Sequence, residues 1–164
     1  MEKRGVTREE LSGLARDLGV QELGFVSPEQ WREAGNLPPG TAPWEVWPPV
    51  KGIVVVGIPD FPANGLPAAQ EFGGWDVRNG LLDTAAYRLS LYLNRNGYPS
   101  VNIPADASGK QGVDRPTVPI FSHHRAAYYA GIVPAPEEPE ESQSPWHFAT
   151  VFTTLNFESG EAAS

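Results

Sequence analysis

Residues 53–58 read Ile53-Val54-Val55-Val56-Gly57-Ile58, a β-branched run interrupted by one glycine and by no polar residue. A strand with one wet face alternates apolar and polar residues, so an all-apolar run predicts a strand buried on both faces. Such a strand belongs at the centre of a sheet with helices above and below it, and the flanking sequence supplies those helices.

Upstream, Thr7 and Glu10 form a capping box, and Leu11, Leu14, Ala15 and Leu18 recur on one helical face before Gly19 stops the helix. Val20, Leu23, Phe25 and Val26 predict a short strand. Ser27-Pro28-Glu29-Gln30 then places a cap residue, a proline at the first helical position and a glutamine at the third, which predicts a short helix through Trp31. Residues 36–49 are rich in proline and glycine with Trp44 and Trp47 interleaved, and are expected as an extended coil pinned by aromatic side chains.

Downstream, residues 59–74 form a long loop, expected to be lid-like because loops of that size in a compact domain are usually binding segments. A long helix is predicted from Val77 to about Asn96. Its apolar stripe is Leu81, Leu82, Ala85, Ala86, Leu89 and Leu93, its polar face carries Asp83, Arg88, Asn94 and Arg95, and Gly97 ends it. A strand at 100–104, a polar loop at 105–119 and a helix from Ser122 closing at Gly131 follow. Residues 134–145 are acidic and proline-rich, expected as a mobile loop because they have little apolar area to bury. HFATVFTTLNF at 147–157 predicts a closing strand. No internal repeat is visible, and the alternation of helix and strand predicts an α/β sandwich with helices on both faces of a central sheet.

With 164 residues and 40% hydrophobic content the chain is expected to form one domain over 1–164. A net charge of −8 repels phosphate backbones and anionic membranes, so small molecules or proteins are the expected partners, with no nucleic acid and no membrane. The absence of cysteine excludes disulfides, thiolate zinc sites, cysteine nucleophiles and a cysteine-ligated iron–sulfur cluster on these residues. Residues 1–10 lack an apolar signal core and no apolar run reaches the roughly 18 residues needed to span a bilayer; a cytoplasmic location is expected. Neither a GxGxxG, GxxxxGK[ST], HExxH nor GxSxG motif occurs, nor the DxHxxG of histidine-ligated cobalamin.

His123 and His124 follow Ser122 at a helix start. Imidazoles titrate near neutral pH, so contact with a ligand or proton transfer is one reading and a solvated helix end is the other. Adjacent helical residues point about 100° apart, so the pair does not readily share a metal, and no metal site is expected. Arg125 offers forked donors to an amide or phosphate tail, or an ion pair to the acidic run. Tyr87, Tyr98, Tyr128 and Tyr129 offer phenolic donors, or serve as amphipathic core residues. Asp76, Arg78 and Asp83 lie where the 59–74 loop meets the long helix and form a polar rim, with Asp76 equally suited to the helix amino terminus.

Several stretches, taken in order, resemble one family. KGIVVVGIP at 51–59 resembles the first core strand of corrinoid-dependent epoxyqueuosine reductases and reductive dehalogenases. LDTAAYRLSLYLNRNGYPSVNIPA at 82–105 resembles their AYRLA..LE..GY...PIPA helix and strand. FSHHRAAYYAG at 121–131 resembles their SH..AA..AGLG helix, and FATVFTTLNFE at 148–158 their F..V.TTA.LE strand; the amino-terminal helix and LPPG at 37–40 extend the likeness over most of the chain. The resemblance implies a nitroreductase-like α/β fold, cobalamin held without a histidine ligand from the protein, and electrons reaching cobalt from carboxy-terminal clusters. On this chain the candidate catalytic residues are His123, Tyr98 and Asp83, and the candidate cofactor contacts are Ser122, His123, His124, Arg125, Asp76 and Arg78.

The chain departs from the family where a GxxGxN turn usually follows AG, since Ile132 here opens directly into VPAPEEPEESQSP; glycines in such a turn let backbone approach a cofactor. It also reaches Ser164 without cluster cysteines, so a separate iron–sulfur electron donor is expected. Two other readings stand beside this one. The first is a non-catalytic ligand-binding or interaction module whose acidic run, 134–145, captures a partner. The second is a flavin reductase holding FMN between the protomers of a homodimer.

Overall fold

The run at 53–58 lies within β2 (Gly52–Pro59), and every residue of that strand but Pro59 is buried. A computed structural model describes residues 5–35, 37–59, 77–105, 121–136 and 146–157 of the chain. β2 lies between β1 (Glu22–Val26) and β4 (Trp146–Thr153), with β3 (Ser100–Ile103) beyond β4, giving a four-stranded sheet of order β1-β2-β4-β3. All neighbouring strands run antiparallel. Val54, Val56 and Ile58 point into one core, Ile53 and Val55 into another. The first core is roofed by α1 (Arg8–Asp17) and α3 (Val77–Arg95). The second lies under α4 (His123–Tyr129) and Trp31 of a 3-10 helix, Pro28–Glu33. An antiparallel sheet that is apolar on both sides, with helices above and below, explains the missing alternation in β2.

Local chemistry places the helices. Thr7 Oγ1 accepts from the Glu10 N–H at 3.1 Å to start α1, and Gly19, at φ +89°, turns the chain out of it. In α3 the side chains of Leu82, Ala85, Ala86, Leu89 and Leu93 are wholly buried; each such leucine is worth about 1.5–3 kcal/mol of transfer free energy. Leu81, expected in the same stripe, is instead 40% exposed, because one helical step rotates it about 100° from Leu82. Tyr92 Oη donates to Glu10 Oε2 at 2.6 Å and ties α3 to α1. α4 crosses the strands, with His123 against Thr150 of β4 and Ala130 against Gly24 of β1. Its seven steps of rise, about 10 Å, match two inter-strand spacings. A Cβ at Gly24 would collide with that of Ala130, so this approach needs glycine.

Three expectations are corrected. The stretch 36–49 is not all extended, since Pro43–Val46 forms a one-turn helix, α2. Pro43 takes a first-turn position, and the Glu45 carboxylate accepts from the N–H groups of Ala42 and Gly40 at 3.4 and 3.3 Å. Trp47 does pack against the core, whereas Trp44 remains 37% exposed beneath the Arg32 guanidinium. The closing strand ends at Thr153 rather than 157, because Thr153 Oγ1 accepts from the Leu155 N–H and Leu155 and Phe157 fold onto the α1–α3 core. β3 stops at Ile103, before Pro104, which has no N–H to give a ladder.

Residues 60–76, 106–120 and 137–145 lie outside the described residues. The expectations of a lid, a polar loop and a mobile acidic run fall there. Among the described residues no helix is long and apolar enough to cross a membrane.

Candidate functional site at one end of the sheet

The antiparallel register gathers several chain ends at one edge of the molecule. β2 finishes at Pro59 opposite Trp146, where β4 begins, and β3 finishes at Ile103 opposite Thr150. Asp83 in the early turns of α3 and His123 at the start of α4 reach the same place, through Ala105 and Pro104. The opposite end is sealed by local bonds. Asn94 Nδ2 donates to the Ser100 carbonyl at 3.0 Å, Asn94 Oδ1 accepts from the Ser100 N–H at 3.1 Å, and the Ser100 and Thr153 hydroxyls lie 2.8 Å apart. The α3–β3 turn closes that end, although the 27–51 connection between β1 and β2 also leaves from it. The connections after β2 and β3 and the one into β4 meet at the other end, which we term the mouth, and long connections on a rigid scaffold are where function collects.

On the α4 face of the mouth, His123 is 2% exposed. Its Nε2 lies 2.7 Å from the Pro104 carbonyl oxygen and its Nδ1 2.7 Å from Thr150 Oγ1. The ring also meets Phe121 edge-on, with centroids 5.8 Å apart. His124 is 5% exposed and lies edge-on to Phe148 at 6.3 Å. Phe148 in turn stacks on Trp146, with centroids 5.6 Å apart and planes 9° from parallel. Gly57 makes room for this stack, since a Cβ there would come within 2.7 Å of the Phe148 ring. The paired imidazoles thus form neither a solvated helix end nor ring faces open to a ligand. Both are packed onto the sheet.

On the α3 face, Asp83 Oδ1 accepts from the Ala105 N–H at 2.7 Å. His147 Nδ1 lies 3.4 Å from Asn79 Oδ1, which joins the first strand residues of β4 to the first turn of α3. Sequence reasoning passed over both residues. His147 opens an apolar strand and Asn79 opens a helix, and only the strand register and the helix crossing bring them together.

The remaining candidates are dispersed. Ser122 Oγ accepts from the Arg125 N–H at 3.1 Å, which is the work of a helix cap. Arg125 Nη1 donates to Tyr129 Oη at 3.4 Å, within α4. Tyr98 sits in the sealed end, after α3. Twelve helical steps, about 18 Å, separate Asp83 from the last turn of α3. Of His123, Asp83 and Tyr98, the first two meet one peptide and the third lies at the other end of the sheet. Tyr87 and Tyr128 are exposed, at 54% and 37%. Asp76 lies outside the described residues, as does the side chain of Arg78, whose backbone belongs to the first turn of α3. Among the described residues no group of three or more histidine, aspartate or glutamate side chains could hold a metal ion.

Fold and geometry define an α/β domain in which helices cover both faces of a four-stranded antiparallel sheet and the candidate site lies at one end of it. Solved epoxyqueuosine reductases share this fold. A selenomethionine-labelled epoxyqueuosine reductase superposes at a TM-score of 0.57 with 19% identity, over 92% of this chain and 46% of its own. The enzyme from Streptococcus thermophilus gives 0.55 and 16%, over 91% and 46%. An epoxyqueuosine reductase solved with an epoxyqueuosine-modified tRNA stem loop gives 0.53 and 18%, over 90% and 45%. The chain spans a little under half the length of these structures, and at such identities the likeness is one of fold. No family model matches the sequence, and no curated protein matches it.

Proposed function

We propose that this chain is a corrinoid-binding, oxidoreductase-like domain that receives electrons from a separate iron–sulfur protein. What carries the reading is the coincidence of two observations. The ordered stretches at 51–59, 82–105, 121–131 and 148–158 fall on β2, on α3 with β3, on α4 and on β4, and 91–92% of the chain superposes on solved epoxyqueuosine reductases.

The donor set at the mouth fits a cofactor that brings its own metal. His123 gives both ring nitrogens to protein atoms, and the described residues offer no metal-ion cluster. A corrin ring supplies nitrogen ligands to cobalt itself and asks of the protein shape and polar contact. Asn79, His147 and half-buried Trp146 are the described residues that would hold its edge, with Asp76 and Arg78 assigned to the rim. When bound, a corrinoid supplies a cobalt centre suited to reductive chemistry. His123 and Asp83 shape the wall beside it. No cysteine occurs in these 164 residues, which supports an iron–sulfur donor carried outside them. The net charge of −8 supports a small-molecule substrate over the tRNA bound by one structural neighbour, because a phosphate backbone would be repelled.

Purified chain incubated separately with hydroxocobalamin and FMN tests the proposal. The corrinoid is expected to change its absorbance spectrum and raise the apparent Tm, by an amount equivalent to about 2.7 kcal/mol at a hundredfold excess over Kd. An unchanged spectrum and Tm would overturn it, and a yellow, dimeric FMN complex would establish the flavin reading instead.

A further inference from the structure

The peptide bond joining Pro104 to Ala105 is held at both ends by side chains from opposite faces of the sheet. Its carbonyl oxygen lies 2.7 Å from His123 Nε2, and its N–H donates to Asp83 Oδ1 at 2.7 Å. Behind the imidazole, Thr150 Oγ1 lies 2.7 Å from Nδ1. A carbonyl oxygen has no hydrogen to give, so Nε2 must carry one; in the neutral ring Nδ1 is then an acceptor and takes the Thr150 hydroxyl hydrogen. Thr150 is fully buried and His123 2% exposed, so water scarcely competes for the Nδ1–Oγ1 contact, while the two bonds to the peptide itself are part-buried, with Pro104 exposed and Ala105 half-buried. The peptide is planar and conjugated, and a carboxylate drawing on its N–H makes the carbonyl a stronger acceptor. The two bonds reinforce each other across the C–N bond.

We infer that Thr150, His123 and Asp83 are positioning residues that lock the Pro104–Ala105 peptide and so fix the direction in which the chain leaves β3 at the mouth. The lock couples α3 to α4 although the sheet lies between them, and it gives the buried imidazole a task other than proton transfer. It holds whichever ligand the mouth takes.

The test uses the whole chain without ligand, so its failure is distinct from failure of the corrinoid reading. Ring-nitrogen NMR of the ¹⁵N-labelled protein is expected to show His123 as the Nε2–H tautomer with Nδ1 unprotonated. In hydrogen exchange the Ala105 amide is expected to be protected, and Asp83→Ala and His123→Ala are each expected to speed its exchange about tenfold. His123→Gln, whose amide nitrogen can reach the place of Nε2, should restore most of the protection. The effect of His123 on the Ala105 amide separates a lock from mere packing, because His123 bonds the other end of that peptide. An Nδ1–H tautomer, a doubly protonated ring at neutral pH, or Ala105 exchange indifferent to His123 would overturn the inference. If the alanine variants fail to fold, the tautomer in the unmodified chain decides.

Discussion

Thr150 lies in the apolar stretch HFATVFTTLNF, and its hydroxyl faces the imidazole of His123 rather than a backbone group. Thr150→Val keeps the shape and removes the donor, leaving a buried ring nitrogen short of a partner. The expected cost is about 1–3 kcal/mol, read as a lowered denaturant midpoint, while Thr150→Ser should stay close to the unmodified chain. Equal stability of the valine variant would show that the hydroxyl contributes nothing. At this scale the sequence was only partly legible. His123, His124 and Asp83 stood out because titratable groups near a helix start and a loop junction are chemically conspicuous. That His123 would be spent on Thr150 and Pro104 depends on contacts 27 and 19 residues apart in the chain, which no local pattern encodes. The Asn79–His147 pair, 68 residues apart, was hidden for the same reason.

Among the elements, those set by local chemistry were legible and those set by competition were not. The Thr7 cap, the Ser27 and Ser122 caps, and the stops at Gly19, Gly97 and Gly131 all lie where periodicity and turn chemistry put them, and each of those glycines has positive φ. α2 was missed because the proline and glycine content of 36–49 was read as extended coil, although a proline such as Pro43 is compatible with a first helical turn. The strand order was not legible, since β1, β3 and β4 must compete for the two edges of β2. What fixes α4 across that order is close approach at one point. Gly24→Ala should push α4 away from β1 at a cost of about 1–3 kcal/mol, seen in a thermal melt. Adding Ala130→Gly should recover part of the loss, because the colliding methyl is then gone. A Gly24→Ala chain as stable as the parent would place the tight contact elsewhere.

For the whole molecule, the α/β sandwich follows from one doubly buried strand and a helix–strand alternation, and its likeness to solved epoxyqueuosine reductases extends over nine-tenths of the chain or more. Where a ligand would sit is a consequence of antiparallel register, which brings Pro59, Ile103 and Trp146 to one end while the Asn94–Ser100 bonds seal the other. The most direct measurement is a two-dimensional amide NMR titration of the full chain with hydroxocobalamin. Shifts are expected at Ile58, Asn79, Ala105, Trp146 and His147, with Tyr98, Ser100 and Thr154 unmoved. Shifts centred on the sealed end, or none at saturating corrinoid, would contradict a corrinoid site at the mouth of this sheet.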